Sequence, residues 1–86
     1  MLYIIRNSQL SEWQKQTLKS LSAEDAIMFA ENGVYNLYTG VINSNANIYA
    51  LKQDCLSRGV DSVDVDMVDY AAWVKLTTTH KHWLNW

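Results

Sequence analysis

Short apolar runs alternate with helix-period segments along this chain, and that alternation constrains the fold more than any other feature. Residues 2–5, 26–30 and 48–51 are such runs, and each is bounded by polar residues or by a helical pattern. Uninterrupted apolar runs of this length are typical of strands that are buried on both faces of a parallel sheet. The chain is therefore predicted to have an α/β fold.

Helical spacing between these runs predicts the connections. A first helix over residues 10–21 begins with a capping box made by Ser11 and Gln14. A short helix is expected over 34–41, weakened or closed by Gly40, and a third over 52–58, closed by Gly59. The apolar face of the first helix contains Leu10, Trp13, Thr17, Leu18 and Leu21. This periodicity predicts that Trp13 lies in the core.

The second half of the chain predicts one more strand and one more helix. Val63, Val65 and Met67 alternate with Asp64 and Asp66, as in a strand with one wet face. Asp69 is placed to cap a last helix, whose apolar side includes a second core tryptophan. That side contains Tyr70, Trp73, Val74 and Thr77. The polar stretch 43–47 is predicted to be a loop. The tail 81–86 fits neither the helical period nor the strand period.

Together these elements predict a single domain over residues 1–86. We expect three layers, with a mainly parallel sheet of four to five strands and helices on its flanks. The chain has no proline, internal repeat or linker composition that would mark a second domain. A chain of 86 residues buries a modest share of its surface, so partners are expected to add stability.

Charge and composition exclude several classes of function. The formal net charge is −2, which does not favour direct binding to nucleic acid. Neither a signal peptide nor a membrane span is predicted, and a single cysteine favours a reducing, cytoplasmic setting. Arg6-Asn7-Ser8 follows the first strand where a phosphate-binding loop would need glycines, so no cofactor is expected.

Cys55 is the one candidate nucleophile in the sequence. A reactive thiolate usually lies at a helix N-terminus or beside a base, whereas Cys55 falls inside the third predicted helix and follows Asp54. A packing role in the core is therefore predicted for this side chain. The alternative is a persulfide-carrying cysteine.

Two groups of polar residues carry side chains that can ligate metal ions. His80 and His82 lack further ligands at a recognised spacing, so a surface or interface position is favoured for them. Asp61, Asp64, Asp66 and Asp69 could crowd a divalent cation, but a solvated strand face and a helix cap account for them better. No metal site is predicted.

The tail is rich in large aromatic residues. Trp83 and Trp86 follow the last helix, where a small domain has little core left to cover them. Rings of this size that cannot be buried internally often mark a protein interface. Trp83, Trp86 and His80 are therefore interface candidates. The alternative, that the tail folds back onto its own sheet, stays open.

The order of these segments resembles the DsrH/TusB family over nearly the whole chain. The resemblance rests on Asn32-Gly33-Val34-Tyr35 and on the segment from Tyr49 to Leu51, and it continues through Asp54 and Arg58-Gly59. Its strongest part comprises Val68-Asp69-Tyr70, Trp73-Val74, Leu76-Thr77, His80 and Trp86. Their order and spacing make the match specific.

The resemblance implies a DsrEFH-like fold and a subunit of a sulfur-relay complex of the TusBCD type. It implies TusC/DsrF-like and TusD/DsrE-like partners in a heterohexamer that passes persulfide sulfur toward 2-thiouridine at the tRNA wobble position, with tRNA contacted only indirectly. Related DsrH proteins can carry a cysteine in the first helix, but residues 16–19 contain none. The resemblance therefore implies a non-catalytic role.

Three alternatives remain open from the sequence. Cys55 could carry a persulfide in a small sulfurtransferase. The chain could serve a DsrEFH complex in sulfur oxidation. A homo-oligomeric module could bind a small ligand at the carboxyl ends of its strands, where open α/β sheets usually place sites.

Overall fold

Strands and helices alternate along the chain in the computed structural model, which describes residues 1–39, 44–60 and 65–86. The strands are β1 (Leu2–Ile5), β2 (Ala26–Phe29), β3 (Asn47–Leu51), β4 (Asp66–Val68) and β5 (Trp83–Asn85). The α-helices are α1 (Glu12–Lys19), α2 (Asn36–Thr39), α3 (Lys52–Ser57) and α4 (Tyr70–Thr79). A 3₁₀ helix over Glu31–Tyr35 precedes α2.

The five strands form one parallel sheet in the order β4-β3-β2-β1-β5. In the central pair Leu2 is opposite Ala26, and Ile5 is opposite Phe29. Residues of β1 and β2 are buried on both faces except Tyr3, which is half-buried. This explains why both strands are uninterrupted apolar runs. The predicted α/β class with a parallel sheet is confirmed.

The two faces of the sheet are covered differently. The α1–α3 face carries Ile5, Ile27, Phe29 and Ala50, which pack with residues of α1, the 3₁₀ helix and α3. The α4 face carries Leu2, Ile4, Ala26 and Met28, which pack with Trp73 and Leu76 of α4. Helices on both faces give the predicted three layers.

Three local predictions are confirmed by backbone geometry. The backbone N–H of Gln14 donates to Ser11 Oγ at 3.3 Å, and that of Ser11 donates to Gln14 Oε1 at 2.9 Å, which completes a capping box. The backbone N–H of Ala72 donates to Asp69 Oδ1 at 2.8 Å, so Asp69 caps α4. Gly59 follows α3 with a φ of 68°, a conformation that favours glycine.

The segment after β2 differs from the predicted helix over 34–41. It begins earlier, as the 3₁₀ helix, and continues as the short α2. Gly33 lies so close to β1 that a Cβ at this position would overlap the Ile5 carbonyl oxygen. Asn36 is buried and donates from Nδ2 to the carbonyls of Asn7 and Gly33 at 2.8 and 2.9 Å. These contacts fix a tight turn that helical periodicity does not reveal.

Some sequence predictions lie outside the described residues. These concern Gly40, Val41 and Asn43, the fourth-strand residues Val63 and Asp64, and Asp61 of the acidic group. The described part of that strand begins at Asp66, which is exposed as predicted. Val65 precedes it and packs against the core of the α1–α3 face.

The predicted core position of Trp13 is wrong, because its side chain is 63% exposed. Leu18 and Leu21 are the buried residues of the first helical segment. Trp13 instead lies toward the edge of the sheet and contacts Trp86. Trp73 is half-buried and packs against the α4 face, as predicted. The tail forms the edge strand β5, which is too short and too exposed to show a strand period.

Within residues 1–39, 44–60 and 65–86, no helix has the length and apolar character needed to cross a membrane.

Candidate functional site: the buried thiol and the β5 edge

Cys55 lies inside the protein. Its side chain is 0% exposed and belongs to the cluster that contains Phe29, Ala50 and Val60. The residue sits in α3 on the side that faces the sheet. A partner sulfur atom could reach this thiol only after α3 had moved away from the sheet. The predicted packing role is thus consistent with the position of the side chain.

The electrostatic surroundings of Cys55 also disfavour a thiolate. Burial raises the pKa of the Cys55 thiol, and the adjacent Asp54 carboxylate raises it further, while Arg58 opposes the shift. The thiolate is the nucleophilic form, and reactive cysteines have a lowered pKa. Both access and ionisation therefore oppose sulfur transfer through Cys55.

A polar network ties α3 to the carboxyl end of β2. The backbone N–H of Glu31 donates to Asp54 Oδ2 at 2.6 Å. Arg58 donates from Nε to Asn32 Oδ1 at 3.0 Å and pairs with Asp54 at 3.5 Å. Glu31 also has a φ of 53°, a left-handed conformation that is uncommon for a non-glycine residue. Several residues that carry the family resemblance therefore build this junction.

A cavity of about 470 Å³ opens at the carboxyl end of β1. Its charged lining residue, Lys15, pairs with Glu12 across 3.7 Å. Its lining contains hydroxyl, amide and amine groups but no thiol: Ser8, Gln9, Leu10, Lys15, Tyr35 and Asn36. Its volume falls in the range of small-molecule sites, and its position fits the usual ligand edge of α/β sheets. Its groups do not specify a ligand.

The interface candidates Trp83 and Trp86 lie on opposite faces of β5. Leu2 is the register partner of Trp83, so Trp83 lies on the α4 face, where it is 54% exposed. Trp86 is half-buried and packs against the core of the α1–α3 face. Its ring makes edge contacts with Tyr3 at 5.3 Å and with Trp13 at 5.5 Å. The tail therefore half-buries one tryptophan and exposes the other.

His80 lies at the end of α4 and is half-buried. Its ring Nδ1 is 3.0 Å from the Leu76 carbonyl oxygen. Because a carbonyl can only accept, Nδ1 carries the hydrogen in this contact. The ring thus closes the last turn of its own helix, which leaves only its other edge for a partner.

Helix α4 exposes side chains that its spacing places on one apolar side. Tyr70 is 54% exposed and Val74 is 62% exposed. Tyr70 stacks on Trp73 at 6.2 Å, and the guanidinium of Arg6 lies 5.8 Å from the Trp73 ring centroid. Trp73 Nε1 is buried without a hydrogen-bond partner among the described residues. A helix that is apolar on several sides fits a surface that a further chain covers.

In the part of the chain that the structure describes, no group of three or more His, Cys, Asp or Glu side chains is arranged to hold a metal ion. Asp66 is exposed, and Asp69 is engaged as the α4 cap. Asp61 and Asp64 fall outside the described residues.

The sequence is similar to a known protein family and to individual proteins from several bacteria. A family model described as "DsrH like protein" matches residues 8–83. Protein TusB of Photorhabdus laumondii is 34% identical, with all of both chains covered. Protein TusB of Escherichia coli strain K12 is 30% identical over 80% of this chain and 82% of its own length.

A solved structure shares the fold. The solution NMR structure of protein Tm0979 from Thermotoga maritima is 25% identical and superposes with a TM-score of 0.73. The match covers 94% of this chain and 95% of that one. The shared region therefore includes nearly all of the sheet and its helices.

Proposed function

The chain belongs to the DsrH family, and from this membership together with its buried thiol we propose that it is a non-catalytic subunit of a sulfur-relay complex. The complex is of the TusBCD type and supports persulfide transfer toward 2-thiouridine at the tRNA wobble position. The chain works in the cytoplasm beside TusC/DsrF-like and TusD/DsrE-like subunits in a heterohexamer.

The observation that carries this proposal is the burial of Cys55, the single sulfur nucleophile of the sequence. A persulfide relay needs a thiolate that donor and acceptor can reach in turn. This thiol is 0% exposed, and its pKa is raised by burial and by Asp54. The transferable sulfur is therefore carried by a partner subunit.

Two further features support a subunit role. Exposed side chains of α4 and β5 provide apolar surface for partners, with Tyr70, Val74 and Trp83 each more than half exposed. The net charge of −2 does not favour direct contact with tRNA phosphates, so tRNA is served through another subunit.

The test uses cells that lack the native chain and receive wild type, Cys55→Ala or Cys55→Ser. Wobble 2-thiouridine is measured by mass spectrometry of tRNA nucleosides, and co-purification of partner subunits is measured in parallel. The Cys55→Ala chain should restore thiolation to the wild-type level. Cys55→Ser serves as the second variant, although a buried hydroxyl can lower stability.

The decisive comparison is between assembly and thiolation. If both variants co-purify with the partner subunits but leave wobble uridine unthiolated, Cys55 carries sulfur and the proposed role is wrong. Cells without the chain provide the baseline for lost thiolation.

A further inference from the structure

Asparagine is followed by glycine once in the sequence, at Asn32-Gly33. The other asparagines are followed by residues that carry a side chain, namely Ser, Leu, Ala, Ile or Trp. In any such pair, the backbone nitrogen of the second residue can attack the side-chain amide carbon of asparagine. Glycine permits this attack best, because it has no Cβ and its backbone is the least restricted. Asn32 is therefore the asparagine with the greatest intrinsic tendency to deamidate.

Deamidation of this pair has two steps. The Gly33 nitrogen loses its proton and bonds to Cγ of Asn32, and the Cγ–Nδ2 bond breaks to release ammonia. Water then opens the resulting succinimide ring at either of its carbonyls. One product is aspartate, and the other is isoaspartate, in which the main chain runs through Cγ. Both products carry one negative charge more than the original chain.

The folded chain opposes ring closure at both reacting groups. The Gly33 N–H donates to the Ala30 carbonyl oxygen at 2.9 Å, so its proton is held in a hydrogen bond. Asn32 Oδ1 accepts from Arg58 Nε at 3.0 Å, which fixes the side-chain amide toward α3. Gly33 is also buried against the Ile5 carbonyl. Ring closure therefore requires that both hydrogen bonds break and that Gly33 leaves its place beside β1.

Helix α3 holds this turn through two neighbouring residues. Arg58, which binds Asn32, pairs with Asp54 at 3.5 Å, and their side chains are only 25% and 16% exposed. Asp54 in turn accepts from the backbone N–H of Glu31 at 2.6 Å. Asn32 itself is exposed, so water has access to its amide. The contacts with α3 and β1, rather than burial of the Asn32 side chain, are what restrain the reaction.

We propose that Asn32 is a latent deamidation site, which Arg58 and the Gly33 hydrogen bond keep unreactive while the junction between β2 and α3 is closed. The reaction rate follows the fraction of chains in which this junction is open. Isoaspartate adds one carbon to the main chain immediately before Gly33, where the approach to β1 leaves no space. The isoaspartate product therefore does not fit the native turn. The proposal is independent of the sulfur-relay role, because it uses neither Cys55 nor a partner.

The test follows deamidation of the full chain during incubation in mildly alkaline buffer. Ion exchange separates the products by their added charge, and fragment mass spectrometry locates the modified residue against a sample digested at time zero. Wild type unfolded in guanidinium chloride should react first at Asn32. Folded wild type should react there about 30- to 100-fold more slowly, because opening the turn breaks two hydrogen bonds.

Three variants assign the protection to Arg58. Arg58→Ala should react about three- to tenfold faster than folded wild type, since the Asn32 contact is lost while the Gly33 hydrogen bond remains. Lys52→Ala is the matched control, because it removes a positive charge from an exposed position on the same helix, and it should leave the rate unchanged. Asn32→Gln should abolish the product, because the longer side chain closes only a slower six-membered ring. Circular dichroism checks that each variant is folded.

The wild-type comparison needs no substitution, so it decides the proposal even if Arg58→Ala fails to fold. Equal rates at Asn32 in folded and unfolded wild type would overturn the proposal, as would faster reaction at another asparagine of the unfolded chain. A rate in folded Arg58→Ala at or below that of wild type would mean that Arg58 activates the amide instead of restraining it. An equal rise in Lys52→Ala would assign the effect to charge alone. Each of these results contradicts the protective role and leaves the thiolation assay of the Cys55 variants unaffected.

Discussion

The two faces of the sheet differ in how completely the helices that cover them are buried. On the α1–α3 face, Leu18 of α1, Val34 of the 3₁₀ helix and Cys55 of α3 are all buried. On the other face, α4 lies alone, and none of its residues is fully buried. Its outer side instead exposes Tyr70 and Val74.

As a result, the Cys55 sulfur atom lies away from the exposed apolar surface of the protein. The thiol lies on the closed face, where burial raises its pKa. Exposed apolar side chains lie on α4, at the β5 edge and on the outer sides of α1 and α3, where Trp13 and Leu56 are 63% and 66% exposed. A catalytic subunit would need the opposite arrangement, with an accessible thiolate. The comparison therefore supports a role in assembly.

Truncating one leucine on each face should show the largest contrast. Leu18 is 1% exposed on α1, whereas Leu76 is half-buried on α4. Leu18→Ala should lower the free energy of unfolding by about 3 kcal/mol, and Leu76→Ala by about 1.5 kcal/mol. Urea denaturation measures both values. Equal losses would mean that the α4 face is packed as tightly as the α1–α3 face.

Gly33 tests how closely the α1–α3 face is packed. A Cβ at Gly33 would overlap the Ile5 carbonyl oxygen, so Gly33→Ala should cost about 2–3 kcal/mol. Gly59→Ala is the control, because nothing lies within 4 Å of a Cβ there and only the φ of 68° opposes alanine. It should cost about 1 kcal/mol. A smaller loss at Gly33 than at Gly59 would contradict the close approach.

The raised pKa of Cys55 predicts a loss of stability at alkaline pH. The unfolded chain releases the thiol proton near the ordinary pKa of 9.0, while the folded chain retains it. Stability is therefore complete below about pH 9 and declines above it, by at most about 1.4 kcal/mol per pH unit. The measurement is the difference in unfolding free energy between wild type and Cys55→Ala from neutral to alkaline pH. A difference that grew in favour of wild type as the pH rose would refute the shift.

The cap of α4 should act on one face only. Asp69→Ala removes the acceptor of the Ala72 N–H and should cost about 1 kcal/mol. Hydrogen exchange should become faster in α4, while the amides of β2 and α3 keep their protection. Ser11→Ala, which removes the α1 cap, is the matched control on the opposite face. Uniform loss of protection after Asp69→Ala would show that the two faces open together.

The strands and caps could be predicted because their causes are local. The buried runs 2–5 and 26–30 need no tertiary information, and Ser11, Asp69 and Gly59 act within one turn of their helices. The packing role of Cys55 could be inferred from its place inside the third predicted helix after Asp54, and its side chain is buried. These features account for the α/β class and for most of the elements.

The remaining features depend on contacts between distant segments. Gly33 is placed by the Ile5 carbonyl, and β5 exists because β1 offers it an edge. The predicted helix face groups Trp13 with Leu18, but the two are five positions apart, which is about 140° around the helix axis. The Trp13 ring contacts Trp86 beside the β5 edge and stays exposed. Periodicity states which side chains share a face and does not state how far the sheet beneath them extends.

The most direct test of the central claim is intact-protein mass spectrometry after incubation with a persulfide donor, followed by addition of an acceptor thiol. Native wild type should gain no sulfur atom, whereas chain unfolded in urea should be modified at Cys55. A stable extra sulfur on Cys55 of the native chain, lost again to the acceptor, would contradict the account.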